Sequence, residues 1–200
     1  MSIIIIIAIT LGALCGYFFP SYTFDLEKIL VEPVIYALVF LSGIEIGYNV
    51  DIKDTIRKIG IRLFTTPLAV IIGSITGGIL AGFIIDIDIA KSSAISSGLG
   101  WYSLSGIMAS KYDAKLGAMT ILCNVFRELL SFLFIPLIAK YIGYIEAIAP
   151  CGATSMDTTL TSINKYTDEH TSLLSFANGV ILMVFVPVLV QSFLGVAYGV

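Results

Sequence analysis

Five long apolar runs, at about 3–19, 30–48, 63–85, 116–140 and 171–196, constrain this chain more than any motif does. Each is long enough to cross the roughly 30 Å hydrocarbon core of a bilayer as a helix, the one open element that satisfies its own backbone there. Composition agrees: 58% of the 200 residues are hydrophobic, 12% are charged, and the mean hydropathy is +0.99. A water-soluble domain of this length needs far more polar surface. The first run lacks the basic leader and small-residue cleavage site of a signal peptide, and reads as the first span. A net charge of −3 without a basic patch excludes nucleic acid as a partner. Cys15, Cys123 and Cys151 are scattered and His170 is the only histidine, so no metal site is expected.

The densest basic loop, "DIKDTIRKIGIR" at 51–62, lies between the second and third runs, which places it and the N-terminus on the cytoplasmic side. Two stretches between the later runs, "SSAISSGLGWYSLSGIMAS" (92–110) and "EAIAPCGATSMDTTLTSIN" (146–164), are nearly uncharged. They hold too much Gly, Ser and Thr for lipid-facing helices and too few polar groups for water-exposed loops. That is the composition of re-entrant or broken helices lining a cavity.

A weak repeat relates the two stretches. "KYD" at 111–113 and "KYT" at 165–167 are 54 residues apart, Gly98 and Gly152 share that offset, and "FIPLIA" (134–139) answers "FVPVLV" (185–190). The fold expected is an all-α integral membrane protein with about five full transmembrane helices plus two re-entrant or broken helices. It forms one membrane domain over 1–200, with a three-helix part over 1–85 and two repeat units over 92–142 and 146–198. If each broken segment returns to the side it entered from, the copies over roughly 92–196 are inverted. The alternative has both segments crossing, for seven spans and parallel copies, and the loop charges leave it open. Small residues four apart, Gly12/Gly16, Gly43/Gly47, Gly73/Gly77 and Gly78/Gly82, suit close helix approach.

Polar residues inside the spans carry the functional reading. In "NVFRELLS", Asn124, Arg127, Glu128 and Ser131 fall at i, i+3, i+4 and i+7, on one helical face. A charge at mid-bilayer costs about 2.5–3.5 kcal/mol on an insertion scale, and a buried ion pair seldom improves on a hydrophobic replacement, so stability does not explain Arg127 and Glu128. Asp157 is a third such charge. Thr154, Ser155 and Thr158 surround it with hydroxyls while Pro150 and Gly152 break the helix, an arrangement suited to binding a cation. Its plainer reading is a helix N-cap. Carboxylates withdrawn from water exchange protons nearer neutrality, which suits proton-coupled exchange of a cation. Trp101, Tyr102 and Ser103 in "GLGWYSLSG" read as cavity wall or membrane interface, and Asn178 in "FANGV" as an interhelical hydrogen bond or part of the site.

Three motifs in order, "GLGWYSLSG", "FRELLSFLFIPLIA" and "CGATSMDTTL", resemble the LysO lysine exporter family, closely from about 92 onward and more loosely before. The resemblance implies a multi-pass protein of a prokaryotic cytoplasmic (inner) membrane that exports L-lysine and analogues such as thialysine. It implies an essential intramembrane acidic pair, which falls by motif on Glu128 and Asp157. With it, proton antiport is the expected coupling, sodium the alternative, and no cofactor is required. Arg127 is the expected receptor for the lysine carboxylate. Single-chain family members are longer before the matched region, so the chain is expected either to work alone or as a homodimer, or to join a small partner membrane protein that supplies the missing spans. The rival reading is an intramembrane aspartyl-type protease, for which no motif is present and Glu is an unusual partner. No Walker A motif suggests ATP hydrolysis.

Overall fold

The computed structural model describes residues 60–199, and every described element is helical. The first two apolar runs and the Gly12/Gly16 and Gly43/Gly47 pairs lie outside the described residues. Three helices are long and apolar enough to span a bilayer: α1 (Arg62–Ile84), α4 (Ala114–Tyr141) and α6 (Glu169–Tyr198). They match three of the five runs. Between them lie α2 (Ile89–Ser96), α3 (Tyr102–Ser110), α5 (Leu160–Tyr166) and two 3-10 turns, Glu146–Ile148 and Gly152–Met156. Aspartates start the helices: Asp88 caps α2 through the N–H groups of Ala90 and Lys91, Asp113 caps α4, and Asp168 caps α6 through Thr171 N–H. The large side chains on the outer faces of α1, α4 and α6, such as Phe83, Leu122, Leu129, Val184 and Val188, are exposed, as lipid-facing positions are.

The first Ser-rich stretch is a helical hairpin. α2 runs down α1 so closely that a Cβ on Gly78 or Gly82 would collide with Ser96 or Ser92. Of the two described small-residue pairs, Gly78/Gly82 is thus an internal contact, whereas Gly73 and Gly77 meet nothing within 4 Å. The chain then breaks at Leu99 (φ 50°) and Gly100 (φ 96°), and α3 returns to start α4. Both ends of the hairpin reach the same place: the Lys91 ammonium sits 5.1 Å over the Tyr198 ring, and Tyr112 stacks on that ring at 5.1 Å. A crossing segment would carry its two ends to opposite faces.

The second hairpin enters at the other end. Ala147 and Ile148 pack with Ile135 and Ala139 near the end of α4, and Ile163 of α5 packs with Leu174 near the start of α6, all in one cluster with Leu63 at the start of α1. The two hairpins therefore point in opposite senses, as the re-entrant reading of 92–110 and 146–164 anticipates. Their tips meet: Ala153 N–H donates to Leu99 C=O at 2.7 Å. Lipid gives helices no hydrophobic reason to associate, so such hydrogen bonds and close backbone contacts hold the bundle.

Gly152 makes that meeting possible. Its φ of 62° is costly for any residue with a side chain, and a Cβ there would strike the Leu99 carbonyl. Gly152→Ala is expected to part the tips and lower the melting temperature, whereas Gly73→Ala, in open space, leaves it unchanged; thermal unfolding in detergent compares the two.

Candidate functional site

The hairpin breaks leave backbone groups unpaired in the middle of the bundle, and polar side chains from α4 and α6 meet them. Asn124 of α4 serves the first break: its Oδ1 accepts from Gly100 N–H at 2.7 Å, while its Nδ2 donates to Ile95 C=O (3.1 Å) and Thr120 C=O (2.9 Å). Asn178 of α6 serves the second, with Nδ2 donating to Gly152 C=O (3.3 Å) and Ser155 Oγ (3.0 Å). Ser175 Oγ donates to Ser155 C=O at 2.9 Å. Asn124 and Asn178 are 54 residues apart, the offset that also relates Gly98 to Gly152. That signal was present in the sequence and pairs the two residues as equivalents.

Arg127 is held entirely by oxygen atoms of other elements. Nε donates to Pro150 C=O at 3.0 Å, Nη1 to Ser74 Oγ at 2.6 Å and Nη2 to Ala149 C=O at 3.3 Å. Ser131 Oγ adds a contact to Pro150 C=O at 2.8 Å. The guanidinium thus ties α4 to α1 and to the entering arm of the second hairpin, whose bare carbonyls carry partial negative charge. Asn124, Arg127 and Ser131 border a cavity of about 710 Å³ between α1 and α4, whose wall is mostly apolar and includes Cys123, Phe126, Leu130 and Pro150.

Glu128 does not line that cavity. One residue on from Arg127, it projects about 100° away around the helix. The expected single face of Asn124, Arg127, Glu128 and Ser131 therefore divides between the hairpin supports and Glu128. The Tyr102 hydroxyl, at the start of α3, is close enough to Glu128 and to Asp157 for both charges to act on it. Tyr102, Ser103, Asp157 and Thr158 are exposed and Glu128 is half-buried, so this acidic locus is open on one side of the described residues. Asp157 closes the 3-10 turn and accepts from Thr158 N–H and Oγ. It does not cap α5, whose N-cap is Thr159. Trp101, just before α3, packs partly buried against the cluster containing Leu99 and Ala153. Thr154 and Ser155 are buried, and Thr154 Oγ donates to Cys151 C=O at 2.8 Å.

The locus joins two carboxylates and a phenol to the first turn of α3. No side chain caps that turn, and the first N–H groups of a helix have no partner within it. Among the described residues no group of three or more His, Cys, Asp or Glu is arranged to hold a metal ion.

The class these features define is a multi-pass helical membrane protein built around two broken-helix hairpins whose tips meet. The model of the family described as "Lysine exporter LysO" matches residues 6–194, and the chain belongs to that family. It is 32% identical over 165 residues to the "Lysine exporter LysO" of Escherichia coli, covering 81% of this chain and 54% of that one. It is 29% identical over 197 residues to the "Putative lysine exporter" of Haemophilus influenzae, covering 94% of each. The chain therefore spans about half the length of the first relative and nearly all of the second. No solved structure matches it.

Proposed function

We propose that the protein exports L-lysine, and analogues such as thialysine, from the cytoplasm in exchange for protons, with Glu128 and Asp157 as the residues that hold the cationic substrate and return with protons. The observation that supports this reading is that both carboxylates lie within electrostatic reach of the Tyr102 hydroxyl, with Tyr102 and Asp157 each a few residues from the tip contact between Leu99 and Ala153. Membership of the LysO family and the names of its relatives supply the substrate. Charges that lie within spans are costly and mark transport paths, and half-helix ends at mid-bilayer are the recurring substrate sites of secondary transporters.

In this mechanism one or both lysine ammonium groups replace protons on the acidic pair. The free N–H groups opening α3 receive the substrate carboxylate, because Arg127 is already committed to Pro150, Ala149 and Ser74. Movement of one hairpin against its supporting helix then opens the site alternately to each side. In this reading the protein sits in a prokaryotic inner membrane, and the basic 51–62 loop, by the positive-inside rule, puts the start of α1 on the cytoplasmic side.

The test is uptake of labelled lysine into proteoliposomes under an imposed proton or sodium gradient, with the chain alone and with a co-purified membrane partner. A proton gradient is expected to drive counter-directed lysine flux. Lysine-independent behaviour in every condition rules the exporter out, and flux driven by sodium alone replaces the coupling ion.

A further inference from the structure

The two equivalent asparagines differ in one atom's environment. Asn124 has both ends of its amide satisfied, its Oδ1 by the Gly100 N–H. Asn178 is fully buried, yet its Oδ1 has no hydrogen-bond partner, although its Nδ2 is fully engaged. The amide orientation follows from those partners, since a flip would set Oδ1 against the Gly152 carbonyl. A buried acceptor left bare costs about 1–3 kcal/mol, so the site needs something to complete it.

We infer that Asn178 Oδ1 and the broken backbone around Gly152 and Ser155 form a site for a monovalent cation, Na+ in particular. The surroundings are rich in oxygen atoms, from the Gly152, Cys151 and Ser155 carbonyls and the Ser155, Ser175 and Thr159 hydroxyls. Cys151 and Ser155 carbonyls accept from the Thr154 and Ser175 hydroxyls, and Ser155 Oγ accepts from the Asn178 amide N–H. Ser155, Ser175 and Thr159 are 0% exposed. Unwound backbone carbonyls and small hydroxyls are the usual ligands of Na+ in membrane proteins. The named ligands include no carboxylate, which disfavours divalent ions. Space is small, because a Cβ on the adjoining Gly179 would stand 2.6 Å from Met156 N and 2.7 Å from Ala153 C=O. The bound ion would draw Asn178 and the tip of the second hairpin together, holding the segment that carries Asp157.

The site needs no lysine, so it is tested apart from export. Purified protein is melted in NaCl and in choline chloride at equal ionic strength. A saturable, Na+-specific rise of roughly 2–4 °C is expected, lost in Asn178→Leu and reduced in Ser155→Ala, but kept in Gly73→Ala, whose position is open. Asn178→Asp, which retains an oxygen, is expected to keep or strengthen it and serves if the leucine variant does not fold. Equal melting of the native protein in both salts means that Oδ1 holds only water, and overturns the inference. So does a Na+ response that survives unchanged in the Asn178 and Ser155 variants, which places the ion elsewhere.

Discussion

Asp157→Asn is expected to abolish net lysine flux in proteoliposomes while the purified protein retains its native melting profile. The substitution preserves volume and hydrogen bonding and removes only charge and titration. A hydrogen bond to a charged group contributes about 1.5–3 kcal/mol, so loss of one carboxylate weakens binding of an ammonium group roughly 10- to 150-fold, before any loss of proton return. Because Asp157 is exposed at the end of a 3-10 turn and caps no helix, its neutral isostere leaves the packing alone. Glu128→Gln should act alike if the two form one site. Unequal effects, with exchange of lysine for lysine surviving in one variant, divide the roles between substrate and proton. Normal flux in Asp157→Asn removes it from the mechanism.

Arg127→Gln has the second large expected effect, and it falls on the framework. Ser74 Oγ and Ala149 C=O lose their donor, and Pro150 C=O keeps only Ser131. Each acceptor left bare costs about 1–3 kcal/mol, so a clear drop in melting temperature is expected. Arg127→Lys restores charge but not the planar fork that reaches three oxygens on two elements, and should recover little. Flux separates this role from carboxylate recognition. If Arg127 holds the hairpin, the variants lose lysine and its decarboxylated analogue, 1,5-diaminopentane, in parallel. Selective loss of lysine means that the guanidinium meets the substrate carboxylate after all.

The fate of Arg127 illustrates where sequence reasoning stops. Its cost in a bilayer and its helical neighbours are legible from "NVFRELLS", and that was enough to single it out. Its acceptors lie 22, 23 and 53 residues away, so their alignment depends on how the hairpins pack. The same holds for the assumed common face: a spacing of i, i+3, i+4, i+7 covers a broad arc, and the neighbours decide which members share surroundings. Asn124 and Asn178 show the opposite case, since their offset of 54 matched the repeat and the equivalence was there to be read.

By itself the sequence determined the solvent this protein lives in, the placement of α1, α4 and α6, and the two helix interruptions. Those follow from local chemistry: apolar runs of bilayer length, and Gly, Ser and Pro where a helix cannot continue. Only the tertiary structure decided that the first interruption turns back, since Lys91 and Tyr112 converge on Tyr198. A reversal and a crossing have the same composition and differ only in which distant groups they meet. The tip contact between Leu99 and Ala153, the engagement of Arg127 and the bare oxygen of Asn178 are likewise consequences of which backbone groups the packing leaves to be satisfied.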